Sequence, residues 1–486
     1  VTTIKADIVK AIFSNLFVGF LLAVTPTAFT WSDNNLPRAL VVTGKGQQCE
    51  PGVYPDWRHN FYNEQLRASL DDLVQITLTE DLSLLNEKQL AHYQIIINNS
   101  LFSCPTPAQF EAFFRFIEQG KGYLALHAGV ASFLNSDRYG MMMGGRFLGW
   151  DHRAPLNIHT FDSWYGYDYN DQVQHPVTRN LPNFMLSDEL YLVEMNTPDV
   201  EVLARAQHHP ILWQRIWGKG KVMGLAIGNG DEEGKNSGYQ AILRNTVRWL
   251  VGYPLIELIP KVHLPVDSTA VIHYMDLNEI SHTSDGSKLS FLIKSNDNPE
   301  LVTVSIDTDS QLSIQPHASA AGEANIQIQV QSENELITTQ NFSVELHEPG
   351  TGNLALYHNV RVHTSSNEYR KFTTNPEKVI DGDSNSRWSS SYGDDEWIYL
   401  DLVQDYLIER VRLFWEGAYA REYRIQVSRD SEQWKDVYVE RDGDGEIDEV
   451  AFNPIKARYV RMYGTRRATE WGYSLYEFEV FGSAAK

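Results

Sequence analysis

The chain has 486 residues, a length that suits about three domains. Its formal charge of −22 argues against a nucleic-acid partner, because phosphate binding needs a basic face. With 12 Trp and 24 Tyr it is rich in aromatic side chains, and an acidic, aromatic-rich chain suits neutral polar ligands such as sugars.

At the N-terminus Lys5 and Lys10 precede an apolar run, Ala11–Val24, followed by Thr25, Pro26, Thr27 and Ala28. A basic start, an apolar core too short to span a bilayer comfortably and a small-residue end are the layout of a signal peptide over residues 1–28. Pro26 stands where a small residue is preferred, so an uncleaved anchor is the competing reading. The expected location is secreted or periplasmic, with no membrane contact beyond this segment. The two cysteines, Cys49 and Cys104, each follow a predicted strand. A disulfide between them and two separate free thiols both remain open.

From Leu36 to Gly252 short apolar runs alternate with amphipathic stretches. Ala39–Thr43, Tyr93–Asn98, Tyr123–Leu126 and Lys221–Ile227 read as buried strands. Phe61–Leu70, Pro107–Gln119 and Tyr239–Val251 read as helices, the second with Phe110, Phe113, Phe114 and Ile117 on one face. Such alternation predicts a parallel sheet covered on both sides, here over residues 36–252. Residues 257–348 change character. Period-two runs at Lys288–Ile293, Val302–Ile306, Ala324–Val330 and Phe342–Leu346 predict a small, Ig-like β-sandwich acting as a spacer. After a Pro/Gly-rich link, residues 353–483 are again all-β, with strands expected at Trp397–Leu402, Ile408–Trp415, Tyr423–Ser428, Tyr459–Tyr463 and Glu477–Phe481. The acidic run from Asp442 to Asp448 lacks the glycine of a calcium loop at its sixth position and reads as a hairpin turn.

The first domain turns on Gly120–Val130, a Gly-rich turn, a buried strand and then His127. Ligands of open α/β sheets bind outside the carboxyl ends of the strands. A nucleophile elbow would carry Ser or Cys there; this chain carries His. The side chain of His127 is therefore expected to be exposed at the strand end. His59 follows the loop after the first predicted strand, His152 comes beyond the Met-rich Tyr139–Phe147 segment and Asp188 and Glu189 come later, and a His beside a carboxylate suits acid–base work near neutral pH. Their spacing fits no standard local metal motif. His175-Pro176 reads as a turn and His208-His209-Pro210 as a loop.

These residues carry a resemblance. Ala39–Gly44, Arg58-His59, Leu126–Ala128, the Gly-Gly-Arg-Phe before His152, His175-Pro176, Asp188–Tyr191 and the pattern around Gly218–Gly228 resemble the ThuA-like (trehalose-utilisation) family. The resemblance implies a flavodoxin-type, class I glutamine-amidotransferase-like fold and a link to carbohydrate metabolism. Family members commonly have His after the strand end where this chain has Asn229. The C-terminal residues Val379–Asp383, Arg387–Ser390, Trp397–Leu402, Arg458–Arg461 and Gly472–Phe478 resemble the discoidin (coagulation-factor type C) fold, a jelly-roll β-sandwich. In bacterial proteins that fold implies carbohydrate binding. It also implies a structural Ca²⁺, carried here to Asp381, Asp383, Ser386 and Glu477, whose oxygens suit a hard cation.

For a sugar on this module, exposed aromatics stack on the ring while Arg and Glu fix hydroxyls. Trp415, Glu416, Tyr419, Arg466 and Trp471 are the candidates. Trp471 and Arg466 are favoured by their place in a loop, whereas alternation along Leu413–Trp415 allows Trp415 to point into the core. The leading expectation is a carbohydrate-active protein whose α/β domain acts on a sugar by hydrolysis or isomerisation, with His127 central and Glu189 its partner. A C-terminal module then targets a polysaccharide or oligosaccharide, and no organic cofactor is called for. The alternative is a non-catalytic glycan-binding protein with an inactive α/β domain. Amidotransferase or protease chemistry stands third, since His127 takes the nucleophile's place.

Overall fold

The computed structural model describes residues 36–44, 59–160, 175–179, 181–229, 235–266, 268, 271–317, 321–348, 350–368, 375–382 and 386–485. The expected signal segment, Cys49, Arg58 and Asp383 lie outside the described residues. No helix among the described residues is long and apolar enough to cross a membrane.

Strands β1 (Arg38–Val42), β2 (Gln75–Thr79), β3 (Ile95–Asn98) and β4 (Gly122–Leu126) form successive parallel pairs in the order β2-β1-β3-β4. β1, β3 and β4 are nearly continuous apolar runs because both faces of the sheet are covered there, whereas β2, at the edge, alternates polar and apolar residues. Alternate residues serve opposite faces. Ala39, Val41, Ile95, Ile97, Leu124 and Leu126 pack under helices α1 (His59–Leu70) and α5 (Ser237–Val251). Leu40, Val42, Ile96, Tyr123 and Ala125 pack on the other side under α3 (Pro107–Glu118). The expected Phe face of α3 is there, with Phe110, Phe113, Phe114 and Ile117 all buried. Thr106 and Gln109 close its N-terminus as a capping box, which explains why the helix begins where it does. A single helical turn, α2 (Glu87–Leu90), leads into β3.

Beyond β4 the sheet departs from the all-parallel expectation. The next neighbour, β11 (Gly220–Leu225), is parallel to β4, but β10 (His209–Trp217) and β9 (Glu201–Ala206) continue antiparallel, so the sheet is mixed. His209 and Pro210 accordingly open a strand, not a loop. Before these strands come helix α4 (Asp137–Met143) and two antiparallel pairs: β5 (Gly145–Trp150) with β8 (Tyr191–Met195), and β6 (Ala154–Ile158) with β7 (Phe184–Asp188). None of these four strands was expected. In β5 the register shifts between Phe147 and Gly149, and glycine at a bulge masks strand periodicity.

The next body is a β-sandwich. A four-stranded sheet of Val262–Pro265, Ile337–His347, Gly322–Ser332 and Leu289–Asn296 faces a three-stranded one of Val271–Asp276, Gln311–Pro316 and Val302–Ile306. Leu264, Val302, Ile314, Ile326, Ile328 and Val344 fill its core. The C-terminal body is an antiparallel β-sandwich around Trp388, Tyr423, Tyr473 and Phe478, all fully buried. The two strands expected at Trp397–Leu402 and Ile408–Trp415 are one long strand, Trp397–Trp415, whose register shifts between Asp401 and Tyr406. The Asp442–Asp448 run links the strands Lys435–Glu440 and Ile447–Arg467, but these pair with Ala420–Ser428 from opposite sides and not with each other, so the run crosses over that strand and is not the expected hairpin turn.

Candidate functional site

The carboxyl ends of β4 and β11 lie side by side, with Leu126 paired to Leu225. Immediately after Leu126 the chain enters a 3-10 turn, His127–Ala131. Gly129 permits it, because a Cβ there would stand 1.8 Å from the Asn98 carbonyl oxygen at the end of β3. Asn98, Ser100 and Ser132 brace the turn through buried side-chain hydrogen bonds. His127 itself has φ of +37°, a left-handed conformation that costs a residue other than glycine of order 1 kcal/mol or more.

The side chain of His127 is fully buried, against the expectation of an exposed strand end. Its ring packs on Tyr191 with centroids 4.2 Å apart, and that residue arrives from the distant strand β8. Nε2 of His127 lies 4.0 Å from Oε2 of Glu189, a residue whose side chain retains 29 % exposure and so connects the imidazole to solvent. Burial lowers the pKa of His127, against the opposing pull of Asp188, Glu189 and a hydrogen bond to the Ala226 backbone. The imidazole is neutral at pH 7. Burial, with the Glu189 and Asp188 charges, pushes the Tyr191 hydroxyl well up, so it stays protonated.

Asp188 is also fully buried, and its oxygens are committed. Oδ1 accepts from the Glu189 amide at 2.7 Å; Oδ2 accepts from the amides of Gly228 at 2.7 Å and Asn229 at 3.3 Å. A carboxylate held by three backbone donors positions the loop rather than shuttling protons. Gly228, with φ of +131°, supplies the turn that presents two of those amides. The Asn229 carbonyl in turn accepts from the Tyr62 hydroxyl at 3.2 Å and from the Arg153 guanidinium, which also donates to the Ser187 carbonyl at 3.1 Å.

The structure thus brings together His127, Asp188 and Glu189 of the expected set. His59 opens α1 and pairs with Glu80 at 3.3 Å. His152 is exposed, its backbone amide bonded to Asp151. His175 is in a turn as expected, its Nδ1 accepting from the Val177 amide. Tyr62, Arg153 and Tyr191 were not singled out from the sequence. Tyr62 lies within the predicted helix Phe61–Leu70, Tyr191 ends the quoted Asp188–Tyr191 and Arg153 follows His152, but only the fold reveals that they converge. Cys104 is disulfide-bonded, and Cys49, the chain's other cysteine, lies outside the described residues.

In the C-terminal module Trp471 is 52 % exposed and meets Tyr392, 54 % exposed, edge to face at 5.7 Å. Tyr392 also donates to Glu368 at 3.2 Å. Arg467 holds this loop by donating to the carbonyls of Glu470 and Trp471 while its Nε donates to Asp394. Arg466, expected in a loop, instead lies in the strand Ile447–Arg467, opposite Glu422, where it is exposed and paired with that carboxylate at 2.8 Å. Glu416 is half-buried, paired with Arg387 at 3.2 Å. Tyr419 is half-buried against the core. Trp415 is a correction: its ring is buried in the core, its indole N–H donates to Asp448 at 2.7 Å, and it presents no open face for stacking. Of the residues named for calcium, the structure describes Asp381, Ser386 and Glu477. Asp381 Oδ2 accepts from Ser386 at 2.7 Å and from Lys378 at 3.2 Å. Buried Glu477 lies on Ser474–Ala484, the strand that packs on the Pro376–Ile380 turn.

Comparison with known proteins bears on both ends of the chain. The ThuA family, described as trehalose utilisation, matches residues 38–250. The F5/8 type C domain family matches residues 361–478. Among solved structures, a chitosan-binding module 2 bound to chitotriose, from a Paenibacillus sp. IK-5 chitosanase/glucanase, is 47 % identical. It aligns over 27 % of this chain and 100 % of its own, with a TM-score of 0.26. Module 1 of the same enzyme is 44 % identical over 27 % of this chain and 99 % of its own, with a TM-score of 0.26. A ThuA-like protein from Bacteroides uniformis is 24 % identical over 46 % of this chain and 95 % of its own, with a TM-score of 0.35. No curated protein matches. The chain therefore carries an N-terminal ThuA-like domain and, in its C-terminal module, a member of the F5/8 type C family.

Proposed function

We propose that this is a secreted carbohydrate-active protein whose α/β domain transforms a sugar by acid–base chemistry while its C-terminal module holds a polysaccharide or oligosaccharide. One observation carries the catalytic part: a neutral, buried His127 faces the solvent-connected Glu189 at the carboxyl edge of the sheet. A neutral imidazole can take a proton from a sugar hydroxyl or carbon acid, and Glu189 can relay it to water. Arg153 and Tyr62 orient the neighbouring Asn229 segment. Binding at the module rests on the exposed Trp471–Tyr392 pair with its Glu368 and Asp394 flank, which offers a stacking face beside hydroxyl acceptors. The strand order β2-β1-β3-β4-β11 supports a flavodoxin-type reading of the first sheet. The seven sandwich strands in two sheets support an Ig-like spacer.

The oxygen-only set of Asp381, Ser386 and Glu477 fits a structural Ca²⁺ in the module, where the ion would tie the Pro376–Ile380 turn to the last strand. The purified protein should be offered a panel of polysaccharides and oligosaccharides, amino-sugar polymers included, with product analysis. Turnover that disappears in His127→Asn supports the enzyme reading. Binding with no turnover of any member favours the second reading, a non-catalytic glycan-binding protein, for which the complete burial of His127 speaks.

A further inference from the structure

The sandwich holds a cluster that the proposed function does not use. Val262–Pro265 runs parallel to the end of Ile337–His347, with His263 paired to Glu345 and Pro265 to His347. Residues two apart on a strand share a face, so Glu345 and His347 project together beside His263. Nδ1 of His263 is 2.9 Å from Nε2 of His347, and the two rings stack at 5.2 Å. Oε2 of Glu345 lies 3.6 Å from Nδ1 of His263, and Oε1 lies 3.7 Å from Nδ1 of His347. The histidine side chains are only 14 % and 17 % exposed.

Four-coordinate zinc with bonds of about 2.0–2.1 Å holds its ligand atoms roughly 3.4 Å apart. One ion takes one nitrogen from each ring: Nε2 of His347 at 2.9 Å and Oε2 of Glu345 at 3.6 Å from Nδ1 of His263 bracket that value, and one ligand atom from each of the three residues lies within 4.8 Å of the others, so small side-chain rotations would seat an ion. Two imidazoles and one carboxylate are a donor set for a borderline transition metal, not for calcium. Lys261 opposes it: Nζ is 2.6 Å from Oε2 of Glu345 and 3.0 Å from Oε1 of Glu323, so the ammonium competes for the same carboxylate. We propose that His263, His347 and Glu345 form a binding site for a zinc-class divalent ion, with water completing its shell. The site lies where the chain enters the C-terminal module. The His263 carbonyl accepts from the His358 amide at 3.0 Å, and the Tyr357 ring stacks on His347 at 5.6 Å. A bound ion would brace that junction.

Full-length protein, stripped with chelator and dialysed, should be titrated calorimetrically with zinc chloride. Histidines elsewhere in the chain also take zinc, so the decisive quantity is a difference between variants. Wild type should bind one more ion per chain than His263→Ala/His347→Ala, and added zinc should raise the melting temperature of wild type more. Glu345→Gln should weaken that site about tenfold or more. Lys261→Met, which removes the competitor and no ligand, should tighten it. Equal stoichiometry in wild type and the double variant overturns the proposal, since the imidazole pair is then a plain hydrogen bond. Should the double variant fail to fold by circular dichroism, unchanged zinc affinity in both Glu345→Gln and Lys261→Met overturns it equally.

Discussion

Nε2 of His127 and Oε2 of Glu189 stand 4.0 Å apart, one side chain sealed and the other reaching solvent. His127→Ala should therefore do two things at once. It should abolish turnover of any sugar substrate, and it should also lower unfolding stability by about 1–3 kcal/mol, because a buried ring packed on Tyr191 is removed. Denaturant unfolding beside the activity assay separates the two effects. Wild-type activity in the variant would refute the catalytic assignment whatever the stability change.

Asp188→Asn keeps the shape and removes the charge. One amide group cannot accept all three backbone N–H bonds, and its NH₂ meets a donor, so a stability loss of roughly 2–3 kcal/mol is expected. Activity should fall through mispositioning of Glu189 and Asn229. A variant as stable as wild type would show that these bonds are not what latches the loop.

Burial, reinforced by Arg179, lowers the pKa of His175 to about 4. A histidine whose folded pKa is depressed binds fewer protons than the unfolded chain in acid. Stability is therefore full above the unfolded value near 6.5 and declines as pH falls from there toward 4, by up to about 3 kcal/mol from this group. The lowered His127 acts with the same sign. Unfolding curves from pH 7 to pH 4 should show this slope, and His175→Phe should flatten it. An unchanged slope in the variant would assign acid sensitivity elsewhere.

Two tryptophans of the C-terminal module should behave in opposite ways. Trp471→Ala removes a half-exposed ring and should leave stability nearly unchanged while weakening glycan binding several-fold, a stacking contribution of about 1 kcal/mol. Trp415→Ala empties a core position and should cost about 3–5 kcal/mol. Calorimetric binding and thermal melts on the full chain check the pair; a binding loss confined to Trp415→Ala would reverse the assignment.

Calcium supplies the remaining test. If Asp381, Ser386 and Glu477 hold the ion, chelator should lower the melting temperature of the module's transition and added calcium should restore it. An indifferent melt, with no calcium in the starting sample, would count against the site.

The placement of His127 was legible because Tyr123–Leu126 is an uninterrupted apolar run with small residues after it, and only the end of a central strand reads that way. Its burial was not legible. The covering ring, Tyr191, comes from β8, in a segment where glycine and short alternation hid every strand. The inward turn of Trp415 was allowed by alternation alone, whereas the exposure of Trp471 needed only its loop position.

The direct pairing of β4 with β11, Leu124 opposite Met223, has a kinetic consequence. The chain between them contains α4 and β5 to β10, and all of it must be looped out before the two central strands can zip. Closing so long a loop costs entropy before any contact rewards it, which slows folding. The Asp188 latch onto Gly228 and Asn229 joins that excursion to the end of β11, so it forms only after the closure. Refolding followed by tryptophan fluorescence should therefore recover the buried Trp213 of β10 in a slow phase, and catalytic competence should return no sooner than that phase.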